Sequence, residues 1–187
     1  VLTLDLEVQR AAEAALRKAN ASTRGAVVVM DVRTGDILAM ASNPTYSPNQ
    51  FARGISSREY QQIQQLTAEN NRATAEHYQA GSVFKTIVAL AALETPQAHF
   101  NPEENHYVEE NPKRPGHGVI YVGKNRHPIG DTVPPGNYDL RRAIARSSNS
   151  YFIALGLRPG VFEKTVALGN ELHLGERFGP EVLPLRQ

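Results

Sequence analysis

Apolar positions recur along the chain with a period that changes from segment to segment. After Asp5, residues Val8, Ala11, Ala12, Ala15, Leu16 and Ala19 fall at helical spacing, which predicts an amphipathic helix over residues 6–20. The stretch GAVVVMDVRTGDILAMAS (25–42) holds two apolar runs about Arg33-Thr34-Gly35-Asp36 and predicts a β-hairpin. Its strands are apolar at consecutive positions, so helices are expected on both faces. Turn-forming residues crowd 43–54, and a further helix is expected over 56–69. From Phe84 to Leu93 nearly every residue is apolar around the whole circumference, the pattern of a fully buried helix over 82–94 that Pro96 terminates. Between Thr95 and Asp139 lie seven of the twelve prolines and five of the fourteen glycines, so this region is expected to be mostly loop and to supply part of a cleft wall. In DLRRAIARSSNSYFIALG (139–156), a polar break separates two helical patterns. Leu140, Ala143, Ile144 and Ser147 share one inward face, while Arg141, Arg142 and Arg146 face solvent.

Length and composition narrow the chemistry. With 187 residues, 41% of them hydrophobic, the chain has material for one sizeable core. Lys plus Arg is 20 and Asp plus Glu is 19, and no block of like charge points to nucleic acid or an anionic membrane. Without cysteine, disulfides and thiolate chemistry are excluded within these residues, which leaves the compartment open. The six histidines are scattered, none at the short paired spacing of a zinc site, and no glycine-rich phosphate loop follows a strand. No metal and no cofactor is therefore expected. His117 in Gly-His-Gly reads as a loop residue near the cleft, and EENHYVEEN as a solvated loop. The longest apolar run, Ile87 to Leu93, is too short to span a bilayer, and the first residues lack a basic head and a cleavage site.

The apolar helix at 82–94 carries a lysine in its first turn. Burying an ammonium is costly, and the positive end of a helix dipole is the wrong end for it. Both effects push Lys85 towards its neutral form, in which it is a base. Ser82 lies three residues earlier on the same helical face, so its hydroxyl falls within reach of that amine: an activated-serine arrangement. A serine after glycine is also an ordinary N-cap, but a capping box wants Glu or Gln where the lysine stands.

The polar break offers a second set. Ser147 is a hydroxyl on an inward face, able to relay a proton, and Asn149 a carboxamide able to donate to and accept from a peptide amide. The competing reading is a helix cap. A second Ser-x-Asn, Ser47-Pro48-Asn49, is set aside because it sits in a proline-rich loop with no helix to aim it.

Together these stretches resemble a known family. Ser-x-x-Lys followed by Ser-x-Asn is similar to the penicillin-binding transpeptidases. LTLDLEVQRAAEAAL, VVVMDVRTGDILAMASNPTYSPNQF, NRATAEHYQAGSVFK, GHG and AIARSSNSYFIALG occur in the order of a class B, monofunctional member. The resemblance implies an α/β (α+β) fold, an antiparallel sheet with helices on both faces, and residues 1–187 as the N-terminal part of one transpeptidase domain with no second domain. It implies Ser82 as the acylated nucleophile, with its backbone N–H as half of an oxyanion hole, and Lys85 as the base that takes its proton. Ser147 is then the shuttle between lysine and the leaving amine, and Asn149 the holder of the donor peptide's amide. The substrates implied are peptidoglycan stem peptides ending in D-alanyl-D-alanine. β-Lactam antibiotics would acylate the same serine, and other cell-wall synthesis proteins would be partners of a membrane-anchored, extracytoplasmic parent.

Two departures from the family pattern stand out. Ala80 occupies the usual proline before Gly81-Ser82, and no Lys-Thr-Gly follows Asn149. The chain is therefore expected to be part of a longer protein, impaired as it stands, with exposed sheet edges that invite association. The alternatives are a β-lactamase-type hydrolase, needing a water-activating base such as Glu59, Glu69 or Glu76, and a non-catalytic sensor or partner-binding module of the same fold.

Overall fold

Asp5 starts the first helix, α1 (Leu6–Ala19), by accepting the backbone N–H groups of Glu7 and Val8 at 2.8 and 3.1 Å. These residues belong to a computed structural model that describes residues 2–19 and 23–176; the predicted helix end at residue 20, and the end of LHLGERFGPEVLPLRQ from residue 177, lie outside it. The described chain divides into two compact units, residues 2–78 and 79–176, each with its own core.

In the first unit, β1 (Gly25–Met30) and β2 (Ile37–Asn43) form the expected antiparallel hairpin, pairing Val27 with Ala41 and Val29 with Ala39. Those four side chains meet Val8, Ala12 and Leu16 of α1 in one small core. On the other face of the hairpin, Val28 and Met30 are about half exposed, at 48% and 54%. The outer edge of β2 is occupied: the Gln9 carboxamide bonds both the N–H and the C=O of Met40 at 2.8 and 3.1 Å, and the Asp5 N–H donates to the Leu38 carbonyl. The outer edge of β1 has no strand beside it among the described residues.

Pro48 opens a short helix, α2 (Pro48–Ala52), inside what the sequence marks as loop, because proline is pre-set for a first helical turn. The discarded Ser47-Pro48-Asn49 copy thus does start a helix. The next helix, α3 (Ser57–Gln65), is set by a full capping box between Ser56 and Glu59. Arg72, 1% exposed, locks the segment after it: the guanidinium donates to the carbonyls of Pro44, Leu66, Thr67 and Asn70 and pairs with Glu76 at 3.2 Å.

The second unit is built on α4 (Lys85–Leu93), entered through a 3₁₀ turn (Gly81–Phe84). Its small buried face, Ala89, Ala91 and Ala92, lets α6 (Asn149–Gly156) and α7 (Val161–Glu171) approach closely. The helix is not buried all round: Leu90 and Leu93 are 43% and 53% exposed. Uniform apolarity marked it as core, but three helices and one short sheet cannot enclose its whole circumference.

Between the loops of residues 95–139 lies a sheet that the prolines and glycines do not announce. It is antiparallel and holds β3 (His106–Glu110), β4 (Gly118–Val122), β5 (His127–Gly130) and β6 (Gly136–Tyr138) in the order β5-β4-β3-β6. The prolines sit in its turns and, as Pro128, on an edge strand where a missing N–H is tolerated. His106, inside the supposed solvated acidic loop, is half-buried on β3, with its ring edge-on to Tyr151. The sheet packs on α6 through Val108, Tyr138, Tyr151 and Phe152. Gly118 makes this possible, since a Cβ there would lie 2.5 Å from Val108 Cγ1. After β6, α5 (Leu140–Arg146) is capped by Asp139.

Candidate active site

Ser82 stands in the 3₁₀ turn, which Gly81 enters at φ +58°, a value that favours glycine. The serine is exposed and Lys85, opening α4, is half-buried. Helix α5 ends at Ser147, which takes the left-handed conformation (φ 57°, ψ 42°) before Ser148 caps α6. This sharp corner turns both the carbonyl and the hydroxyl of Ser147 onto Lys85. The Lys85 ammonium nitrogen Nζ donates to the Ser147 carbonyl at 2.5 Å and to its Oγ at 2.9 Å. Ser147 Oγ in turn donates to Ser82 Oγ at 2.8 Å.

The three predicted side chains therefore form one line, with Ser147 in the middle. Among the described residues no hydrogen bond joins Lys85 to Ser82 itself; Ser147 Oγ lies between them. Lys85 directs two of its three N–H donors at Ser147, whose hydroxyl reaches on to Ser82. Ser147 also closes its helix rather than lying along a buried face, and Ile144 beside it is 47% exposed. Asn149, the first residue of α6, is half-buried, and its carboxamide makes no hydrogen bond among the described residues.

Desolvation lowers Lys85 below the ordinary lysine value, and the nearby Asp131 carboxylate partly offsets that. The Phe152 ring lies 5.9 Å from Nζ. Asp131 is the residue that sequence reading missed. It is 3% exposed, and one carboxylate oxygen, Oδ2, accepts the Ser148 hydroxyl at 2.8 Å and the Ser150 N–H at 2.7 Å. Its other oxygen accepts the Thr132 N–H at 2.7 Å. Burial by itself raises this carboxyl, but the donors from Ser150, Ser148, Asn149 and Thr132 outweigh it and leave Asp131 below its ordinary value. The signal is present but faint: a corner with several free N–H groups needs an acceptor, and Asp131 lies in the stretch whose prolines and glycines read as loop.

Of the three carboxylates offered as hydrolytic bases, two are engaged elsewhere. Glu59 is held by its own helix cap, Glu76 by Arg72 and Tyr78, and Glu69 is exposed. Among the described residues no group of His, Asp and Glu is arranged to hold a metal ion. His117 is half-buried, with Nδ1 lacking a partner among the described residues.

A family model described as the penicillin binding protein transpeptidase domain matches residues 25–179. The chain belongs to this family. Among curated transpeptidases of this kind, the peptidoglycan D,D-transpeptidase MrdA of Haemophilus influenzae is 31% identical over 164 residues, covering 86% of this chain and 23% of that protein. PbpA of Mycolicibacterium smegmatis is 31% identical over 190 residues, 98% of this chain and 37% of that one. Among solved penicillin-binding proteins, penicillin-binding protein A of M. tuberculosis, as a ceftriaxone acyl-enzyme, superposes with a TM-score of 0.76 at 26% identity, over 99% of this chain and 41% of that one. PBP2 of Helicobacter pylori gives 0.73 at 31% identity, over 92% and 30%. The chain spans less than two fifths of the length of either of these two curated transpeptidases, 23% and 37%. The transpeptidase match runs through both compact units, and the mixed α/β architecture with antiparallel sheets and helices is that of the family.

Proposed function

We propose that this chain is part of a peptidoglycan D,D-transpeptidase domain working through a serine acyl-enzyme, with Ser82, Lys85 and Ser147 carrying the proton and Asn149 holding the donor peptide. The observation that carries this reading is the continuous hydrogen-bonded line from Lys85 Nζ through Ser147 Oγ to Ser82 Oγ. Hydroxyl hydrogens rotate, so the line conducts in either direction. With Lys85 neutral, Ser82 Oγ attacks the carbonyl carbon between the two D-alanines while its proton passes to Ser147 and the Ser147 proton to Lys85. Collapse of the tetrahedral intermediate breaks the peptide bond, and the departing D-alanine nitrogen takes a proton back along the same line. The Ser82 ester is then attacked by an amine of a neighbouring stem peptide, forming the cross-link and restoring the serine. The Ser82 backbone N–H is one donor to the developing oxyanion.

A β-lactam follows the first half of this course, its ring amide opening onto Ser82 to leave a lasting ester. Full D,D-transpeptidation would draw on other cell-wall synthesis proteins and a location outside the cytoplasmic membrane; no helix among the described residues is long and apolar enough to cross one. The test is intact-protein mass after exposure to a reporter penicillin, with Ser82→Ala alongside, on the full-length protein. A stable adduct of one penicillin, absent in Ser82→Ala, supports the reading. Rapid turnover without a lasting adduct would favour a β-lactamase, and a folded protein that gains no adduct would favour a binding module.

A further inference from the structure

We infer that Asp131 is the positioning residue of this site: its buried carboxylate fastens the Ser147–Ser150 corner to the small sheet and supplies the negative charge against which Lys85 works. This rests on the proposed acyl-enzyme reading and assigns to it a residue outside the serine, lysine and asparagine motifs.

The geometry is that of a clasp. Asp131 follows directly on β5, and its own N–H is bonded to the Gly118 carbonyl at 2.8 Å, while the Gly118 N–H donates to the Val133 carbonyl at 2.6 Å. The backbone on either side of the carboxylate is thus tied to β4, at the glycine where no larger residue fits. From this fixed base Asp131 reaches the side chain of Ser148 and the backbone of Ser150, the residues between and just beyond Ser147 and Asn149. Ser148 cannot shift without losing this bond and its cap to the Tyr151 N–H at 3.2 Å. The left-handed turn at Ser147, unfavourable for a residue with a Cβ, is therefore held from its far side. Release of the corner would withdraw Ser147 Oγ from between Lys85 and Ser82, and a displacement of about 1 Å is enough to cost up to about 100-fold in rate.

The charge matters as well as the shape. Among the ionisable groups on the elements around α4, Arg146 of α5 is exposed, Lys164 of α7 is paired with Glu94 at 2.8 Å, and Tyr151 of α6 is pushed up to about 12 by burial. Asp131 is the charged group whose field acts on the Lys85 amine, opposing the effect of desolvation. Without it the lysine would lose its proton at lower pH.

Two substitutions separate these roles in the full-length protein. Asp131→Asn keeps the volume and one acceptor but removes the charge. We expect its penicillin acylation rate constant to fall about 10- to 100-fold at neutral pH, with the rising limb of the pH–rate profile displaced to lower pH. Ser148→Ala keeps the charge and removes one tether. It is expected to slow acylation while the limb stays at its wild-type pH. Wild-type acylation by either variant, or a slowed Asp131→Asn whose limb has not moved, overturns the inference. Should Asp131→Asn fail to fold, Ser148→Ala still decides whether the tether positions Ser147. A wild-type protein that takes no penicillin at all removes the acyl-enzyme reading and this one with it, whereas labelled wild type with unaffected variants removes this one alone.

Discussion

Ser147 accepts from Lys85, donates to Ser82 and closes its helix in a left-handed turn. Removing its hydroxyl breaks the line while leaving both neighbours in place, so Ser147→Ala should lower the penicillin acylation rate by at least about 100-fold with little change in thermal stability. Lys85→Met should cost more, about 1000-fold or beyond, because the base itself is gone. The Lys85 amine lies below the ordinary lysine value through desolvation, and its neutral form is the working one. Acylation should therefore rise with pH and level off at a lower pH than an ordinary lysine would allow; a profile flat through that range counts against Lys85 as the base. At this scale the sequence was informative about identity and silent about order: Ser82, Lys85, Ser147 and Asn149 were all marked by residue type and helical spacing. Which hydroxyl lies in the middle depends on a corner 65 residues away from Ser82.

Helices with strong caps or periodicity were legible, and short strands were not. The amphipathic α1, the hairpin and the Ser56–Glu59 cap can be read from local pattern because the interactions that set them are local. Strands β3 to β6 are three to five residues long, too short for a period of two to stand out, and the prolines between them read as loop. Their stability comes from packing on α6, which makes Gly118 a sensitive position. Gly118→Ala should destabilise the protein by about 1–3 kcal/mol in chemical denaturation, through its clash with Val108. Arg72→Ala should cost at least about 3 kcal/mol, and Arg72→Lys should not restore it, since an ammonium cannot reproduce the planar fork that bonds four carbonyls. Asp131 links this scale to pH. Its carboxyl lies below its unfolded value, so its contribution is complete above about pH 4 and is lost as pH falls towards the folded value. Asp131→Asn should flatten that acid dependence in urea titrations.

For the molecule as a whole, the outer edge of β1, which has no strand beside it among the described residues, and the exposed Val28 and Met30 on one face of the hairpin bear on association. A formal charge of only +1 gives little repulsion to oppose pairing. The 187-residue chain should therefore show concentration-dependent association in sedimentation velocity, suppressed by Val28→Lys; a monomer at all concentrations would argue against an accessible edge. The sequence by itself determined the family and the elements whose pattern is local, and singled out four side chains for the proposed chemistry, because helix periodicity, caps and motif order need no distant partner. Tertiary structure decided the rest. It buried Asp131 behind the second motif, made a sheet of a proline-rich stretch and placed Ser147 between Ser82 and Lys85. Each of these depends on residues far apart in the chain meeting in a low-dielectric interior, where an unpaired donor or charge is costly and is therefore met by a partner that no local pattern announces.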